Sequence, residues 1–566
     1  MTSNSQKDAE QEVQEKLQPL QSKSDSDAFE AVLQHVGEFG LYQKLLFLAM
    51  APFGLVFAYV YYVQLFITAT PQNHWCRVPE LEHLDIGIRR NLTTVTTNEG
   101  WEKCFMYDAN WTQVLQDMAV PAFTKLVPCK NGWEFELTDV PYHTVASERG
   151  WVCNNASNIP FAQSFFFLGS FLGGILFGWM ADYYGRVPTM MGIYLMAIIG
   201  GVGSVYTRGL WDFAICRFLV GTAFDSCFII MYILVLEYVG PKYRSIIGNI
   251  SIAVFYGGGA ISVPWLALWL SDWRKLVWVT NIPLLMILLM PFTIPESARW
   301  LSSRGQTHRA IKVLKRFERI NGTKIPQEVL DDFIISSNMQ KDLNETLKDA
   351  FKSPPIRKMI IFMALTSTCG SVIFDALVRL TEGLGYNFFI TFSLVSATEI
   401  PSVILAAFTL DRLGRRNLTF IPVTTIGILI LVAAFVPKGT PRVAVGVLAR
   451  FMMNMMLTAI TQWAAEIFPT AIRASGSSLM HVMSFAGIIA SPFIAYSGKL
   501  WHTLPFIIVA GISFSAGVFS LQLPETKGVL MPQTIKDAEK IVRMNMLCGN
   551  RTSLDEDLPK EEPVPI

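Results

Sequence analysis

Charge is scarce in this chain and evenly split between the two signs. Asp, Glu, Lys and Arg make up 16% of its 566 residues, with 46 basic side chains against 45 acidic ones and a formal net charge of +1. No basic footprint for a nucleic acid exists, so that partner class is excluded. Histidine is thin as well, at seven residues. No Cys/His spacing matches a zinc site, His481 stands alone in an apolar run, and no catalytic constellation forms. The chain therefore reads as a protein that is not an enzyme, with no metal and no cofactor implied. The polar first stretch lacks a basic region followed by an apolar run and a small-residue cleavage site. No cleaved signal peptide is expected, and the first hydrophobic helix would act as signal anchor.

Apolar length is what the sequence has in abundance, with 51% hydrophobic residues and a mean hydropathy of +0.37. Crossing a bilayer takes about 20 apolar residues per helix. Twelve windows qualify, near 45–69, 159–181, 188–207, 211–238, 246–270, 275–294, 358–380, 388–410, 418–436, 443–467, 476–498 and 503–522. The expected fold is all-α, with twelve transmembrane helices in two pseudo-symmetric six-helix halves. An even number of spans puts both tails on one side.

Lys and Arg set the orientation. The stretch from Glu296 to Lys358 carries Arg299, Arg304, Arg309, Lys312, Lys315, Arg316 and Arg319, and shorter connections on the same side carry Arg186, Lys242, Arg244, Arg412, Arg415, Arg416 and Arg473. That side is expected to be cytosolic. The opposite side carries Cys76, Cys104, Cys129 and Cys153 in one polar loop, with Asn-x-Ser/Thr acceptors at Asn91, Asn110 and Asn155. An even cysteine cluster and sequons in one loop point to an oxidising, glycosylating exterior. Four cysteines allow three pairings, and spacing does not choose among them. The organisation expected is a cytosolic segment 1–43, a first half 44–294 containing the outer loop 70–158, a cytosolic helical linker 295–357, a second half 358–523 and a cytosolic tail 524–566, set in a plasma membrane.

An internal repeat supports the two halves. Asp182-Tyr-Tyr-Gly185-Arg186 after the second span returns as Asp411-Arg-Leu-Gly414-Arg415 after the eighth, 229 residues later. Glu237 with Arg244 returns as Glu466 with Arg473, and Pro295-Glu296-Ser297 as Pro524-Glu525-Thr526, both at the same 229-residue offset. Three motifs at one offset point to a duplicated unit, and paired repeats with a midplane site are a known transporter solution.

The Asp-x-x-Gly-Arg pattern resembles the signature of the major facilitator superfamily. Pro-Glu-Ser-Ala298-Arg299-Trp300-Leu301, the run Val36-Gly37-Glu38-Phe39-Gly40-Leu41-Tyr42-Gln43 and the large cysteine-bearing loop narrow the likeness. From about Phe29 to Gly528 the chain is similar to the solute carriers that move organic cations, organic anions and carnitine, most of all their insect branch. A sugar porter shares the motifs but lacks the long loop.

Independently of the resemblance, Asp182, Arg186, Glu237, Arg244, Glu296 and Arg299, with Asp411, Arg415, Glu466, Arg473 and Glu525 as their repeat, sit where opposite charges can pair across helix ends. They are read as a gate that breaks when the halves rock, rather than as solvated flanks.

Charges inside the spans are costly and mark substrate paths. They are Arg217 and Asp225 in span 4, Asp375 and Arg379 in span 7, Glu399 in span 8 and Arg450 in span 10. The resemblance implies that Glu399 lies beside the substrate, whereas at Asp225 cation carriers usually have lysine. Asp375 and Arg379 are read equally as binding residues or as an i,i+4 neutralising pair. Arg217 and Arg450 stand 233 residues apart, close to one helical turn off the repeat, an offset that still allows both to face one cavity. They are read as carboxylate ligands or partners for interior acids. Tyr62, Phe228, Tyr232, Phe255, Tyr256 and Phe374 are candidate cavity aromatics for cation–π contacts. Phe485 occupies the position where the resemblance implies a charged selector. Gly257-Gly258-Gly259 has no strand before it and reads as a packing or bending element, not a phosphate cradle.

The expected function is alternating-access transport of a small organic cation or zwitterion, of the carnitine, β-alanine or amine-conjugate kind, with sodium or proton coupling open. The alternatives are an organic anion exchanger, using Arg217 and Arg450, and a transporter-like receptor without turnover.

Overall fold

A computed structural model describes residues 25–545, apart from 98–99, 122–123, 340–346, 470–471, 530 and 533. Parts of the expected terminal segments, with Cys548, lie outside the described residues. Each expected window coincides with a helix long and apolar enough to span: Leu41–Ile67 (α1), Cys153–Tyr184 (α2), Arg186–Tyr206 (α3), Leu210–Glu237 (α4), Ser251–Leu270 (α5), Trp273–Thr293 (α6), Pro354–Gly383 (α7), Phe388–Leu413 (α8), Arg415–Phe435 (α9), Thr440–Ile467 (α10), Ser475–Lys499 (α11) and Leu504–Leu521 (α12). Helices dominate because lipid offers no hydrogen-bond partner, so each span must satisfy its own backbone.

Helix α4 packs between α2 and α3, and α9 between α10 and α12. The halves meet where α2 touches α11 and α5 touches α8. Two spans are irregular at the seam. Helix α5 opens on a π-helical stretch, Ser251–Tyr256, directly before the three glycines. At Gly259 a side chain would collide with Leu55 and Ala58 of α1, so the glycine permits close helix contact. Helix α8 is broken between Phe388–Ala397 and Glu399–Leu413. Pro401 explains the break, because it has no N–H to give the carbonyl one turn back. Glu399 is thereby placed at a helix discontinuity.

The loop 70–158 departs from the all-α expectation. It carries three short antiparallel ladders, pairing His74–Cys76 with Trp133–Phe135, Val95–Thr97 with Gly100–Glu102, and Phe105–Tyr107 with Leu126–Pro128. Disulfides join Cys76 to Cys129 and Cys104 to Cys153. The bridges adjoin, since the Cys129 N–H donates to the Cys104 carbonyl at 3.4 Å. Peptide mapping without reduction should recover these two linkages, and recovery of Cys76 with Cys153, or of Cys104 with Cys129, would contradict the loop's fold.

On the opposite face the linker forms helices Ala298–Ser303, Thr307–Asn321, Gln327–Met339 and Leu347–Lys352. Helix Asp25–Val36 docks on them, burying Phe29, Val32, Leu33 and Val36. Their i, i+3, i+4, i+7 spacing makes one apolar stripe. We refer to the two sides as the loop face and the linker face.

Candidate functional site

The repeated motifs at the linker face are explained by one local geometry, built twice. Gly185 and Gly414 turn with φ of +104° and +82°, a region open to glycine without a Cβ penalty. The chain then enters α3 or α9, and a carboxylate from the Pro-Glu motif caps the new helix. Glu296 accepts the N–H groups of Arg186 and Val187 at 2.9 and 3.1 Å, and Glu525 those of Arg415 and Arg416 at 2.9 and 3.0 Å. An anion at a helix N-terminus is favourable. Arg186 also reaches Asp182 at 2.9 Å and Glu237 at 3.6 Å, and Arg415 reaches Asp411 at 3.1 Å and Glu466 at 2.8 Å. The two aspartate side chains are each 81% exposed, so those pairs contribute little. Arg244 and Arg299 share Glu30 of the docked helix, at 3.6 and 3.5 Å. Arg473 donates to the Phe468 carbonyl at 3.3 Å. Among the described residues these ion pairs tie helix ends within one half and do not bridge the halves.

The bridges between halves lie toward the loop face. Tyr61 of α1 donates to Asp375 Oδ1 of α7 at 2.5 Å, and Arg379 Nε donates to Asp375 Oδ2 at 2.6 Å. Arg379 Nη1 also donates to Gln163 of α2, whose amide nitrogen donates to Thr68 Oγ1 at 2.9 Å. All five side chains are buried. Asp375 and Arg379 do form the expected i,i+4 pair, but both also reach into the first half. Its use of both oxygens corrects the reading of Asp375 as a residue open to substrate. On the loop-face side of this latch, Phe66 packs on Phe388, Phe389 and Phe392 with centroids 5.0 to 5.7 Å apart. A cavity of about 330 Å³ opens above it, lined in part by Asp139, Glu382 and Tyr386.

Deeper between the halves lies a buried charge cluster. Arg450 of α10 is 1% exposed and Glu399 6%. Arg450 Nη2 stands 3.7 Å from Glu399 Oε2, Nη1 donates to the Phe374 carbonyl at 3.2 Å, and the guanidinium lies 3.6 Å above the Phe374 ring. Tyr62 of α1 accepts from Arg450 at 3.5 Å and shares a 2.7 Å hydrogen bond with Tyr256 of α5. Thus Tyr62, Tyr256, Phe374, Glu399 and Arg450 come together, two from one half and three from the other.

Arg217 does not join them. It donates to Ser204 of α3 at 3.0 Å and lies over Phe213, inside the first half. Of the two placements the offset allowed, the shared cavity is not the one Arg217 adopts. Asp225 is partly exposed on α4, in the region where α11 approaches across the seam. The two helices touch there, with Phe224 edge-on to Phe485 at 5.9 Å. Phe57 of α1 stacks on Phe224 and Phe228 at 4.9 and 5.3 Å, and Tyr232 continues the row 5.7 Å from Phe228. Phe255 packs instead on Phe47 of α1, 5.1 Å away.

Glu30, Tyr61, Gln163, Thr398 and Asn454 were not singled out in the sequence. Glu30 was findable from the apolar stripe around it. The others are uncharged residues inside spans, and only their partners distinguish them.

A membrane protein with twelve spans among its described residues, twin charge networks on one face and a buried ion pair of the second half set against tyrosines of the first is a solute transporter. The sugar (and other) transporter family matches residues 126–534, and the chain belongs to it and, within the major facilitator superfamily, to the solute carriers of organic cations, anions and carnitine. Its members are transporters and not enzymes. The chain is 30% identical to solute carrier family 22 member 3 of Rattus norvegicus, covering 92% of this chain and 98% of that one. It is 29% identical to a β-alanine transporter of Drosophila melanogaster, covering 92% and 90%. It is 28% identical to a carcinine transporter of the same organism, covering 94% and 82%. In fold it resembles the xylose transporter XylE from E. coli in its inward open conformation, with a TM-score of 0.57 at 16% identity over 88% of this chain and 99% of that one.

Proposed function

We propose that the protein imports a small organic cation or zwitterion across the plasma membrane, with both termini and the linker face in the cytosol. The reading rests on the buried Glu399–Arg450 pair between the halves. Glu399 attracts an ammonium group, the rings of Phe374, Tyr62 and Tyr256 suit a cation, and Arg450 offers a partner for a carboxylate. A substrate bearing both charges matches both members of the pair. That three relatives are named for organic cations, β-alanine and carcinine supports the same substrate range.

Access alternates as the halves rock. The latch of Tyr61, Gln163, Asp375 and Arg379 holds the outer side closed and releases when the outer side opens, while the charge networks around Arg186 and Arg415 brace each half. Asp225 lines the inner path beside Phe228, Tyr232 and Phe485. Asn91, Asn110 and Asn155 are the glycan acceptors of the outer loop. Coupling to sodium or a proton belongs to the reading as an option for a zwitterion, which gains nothing from membrane potential.

The test is uptake by the purified protein in liposomes offered an alkylamine, 3-aminopropanoate and an aromatic carboxylate. Accumulation of the first two is expected. Accumulation of the carboxylate alone would reverse the charge argument, and uptake of nothing would favour a receptor.

A further inference from the structure

The central cluster contains two acceptors outside hydrogen-bond distance of any donor among the described residues, one of them the Glu399 oxygen that the Arg450 guanidinium approaches only to 3.7 Å. Glu399 Oε2 and Asn454 Oδ1 are buried and, among the described residues, neither has a hydrogen-bond partner. Their residues are 6% and 4% exposed. The orientation of the Asn454 amide follows from its neighbour. Thr398 donates its hydroxyl proton to the Val395 carbonyl at 2.6 Å, so its oxygen can only accept, and the Asn454 amide nitrogen approaches it at 3.3 Å. The amide oxygen is thereby turned away from Thr398.

Both orphans belong to one place. Thr398 precedes Glu399 in the chain, and Asn454 lies one turn after Arg450 on the same face of α10. Arg450 in turn pairs with Glu399. The first half presents Gly257 to Glu399, where even an added Cβ would sit 3.5 Å from the glutamate Cβ, so no side chain intervenes. The hydroxyls of Tyr62 and Tyr256 bond each other, Tyr62 also accepts from Arg450, and neither hydroxyl donates to either of the two acceptors.

A buried acceptor without a donor is costly, and a site that tolerates two is complementary to a ligand that brings donors. A primary ammonium brings three N–H groups and a quaternary ammonium brings none. Resting on the reading of this cluster as the cation site, we propose that the transported cation carries N–H donors, one directed to Glu399 Oε2 and another to Asn454 Oδ1. Asn454 is then a specificity-determining residue that separates amines from their quaternary analogues. Charge and aromatic faces alone do not make that distinction, because both cations satisfy them.

The experiment varies donors at constant charge. Liposomes holding the full-length protein are offered 3-aminopropanoate, its N-methyl and its N,N,N-trimethyl derivatives, and in parallel propylamine and propyltrimethylammonium. Transport efficiency should fall about tenfold or more from the donor-bearing to the trimethylated member of a series, as for a site left with unpaired polar groups. Asn454→Leu, which keeps the approximate shape but removes the acceptor, should move that ratio toward one. Equal or better transport of the trimethylated members by the unaltered protein overturns the proposal, as does an unchanged ratio in an Asn454→Leu protein present in the membrane. If that variant fails to fold, the unaltered protein's series decides alone. Equal transport of all five would leave the cation reading intact and remove only this inference, whereas uptake of carboxylates alone removes both.

Discussion

Replacing Glu399 by glutamine is expected to lower uptake of a small amine by about a hundredfold or more, because removing one partner of a buried ion pair costs about 3–5 kcal/mol. Glutamine nearly preserves the shape, so the change is electrostatic. The Arg450 guanidinium, 1% exposed, would then stand between the halves without its anion and repel the incoming ammonium. The same imbalance can reduce folding, and a second variant separates the two effects. In Glu399→Gln/Arg450→Gln neither charge remains, so membrane abundance should recover while amine uptake stays lost. Restored uptake in the double variant would mean that Glu399 serves only to neutralise Arg450.

Arg379→Gln is the second large effect. Asp375 would keep Tyr61 but lose its buried counter-charge, and the strut from α7 to Gln163 would be cut. Breaking a buried pair from one side costs about 3–5 kcal/mol, and here the cost falls on the conformation closed at the loop face. The equilibrium should move toward opening there. A cysteine placed at Thr398, in the central cluster beyond the latch, should react with an impermeant maleimide about tenfold faster or more in Arg379→Gln than in the otherwise unaltered protein. Adding Asp375→Asn should bring the rate back toward the starting value. An unchanged rate in Arg379→Gln would show that the aromatic seam alone closes this face.

How much of this was legible from sequence differs by residue. The twelve spans were, because bilayer thickness imposes a length that composition reveals. The Asp-x-x-Gly-Arg and Pro-Glu repeats were legible as motifs. Their joint geometry, a glycine turn at Gly185 or Gly414 followed by a helix capped by Glu296 or Glu525, needed coordinates, because a residue more than a hundred positions away supplies the cap. The interior charges were found by their cost in lipid, but not sorted. Arg450 and Arg217 look alike in sequence, and a one-turn offset sends the first to the shared cluster and the second to Ser204. Asp375 was visible as an acid, yet Tyr61 and Gln163, which make it a bridge, carry no charge and gave no signal. The three-way choice among cysteine pairings was open for the same reason, since spacing does not reveal which strands of the loop lie side by side.

The central claim is that the moving species bears positive charge and is received by Glu399. An inside-negative potential favours entry of a monovalent cation by about 2.3 kcal/mol per 100 mV. The most direct measurement is therefore uptake of labelled propylamine by liposomes holding the protein, with a potassium diffusion potential imposed in either direction. Uptake should rise with an inside-negative potential, collapse on reversal, and vanish in Glu399→Gln at either polarity. Uptake indifferent to the potential and to Glu399, or an aromatic carboxylate driven inward by an inside-positive potential, would contradict the account.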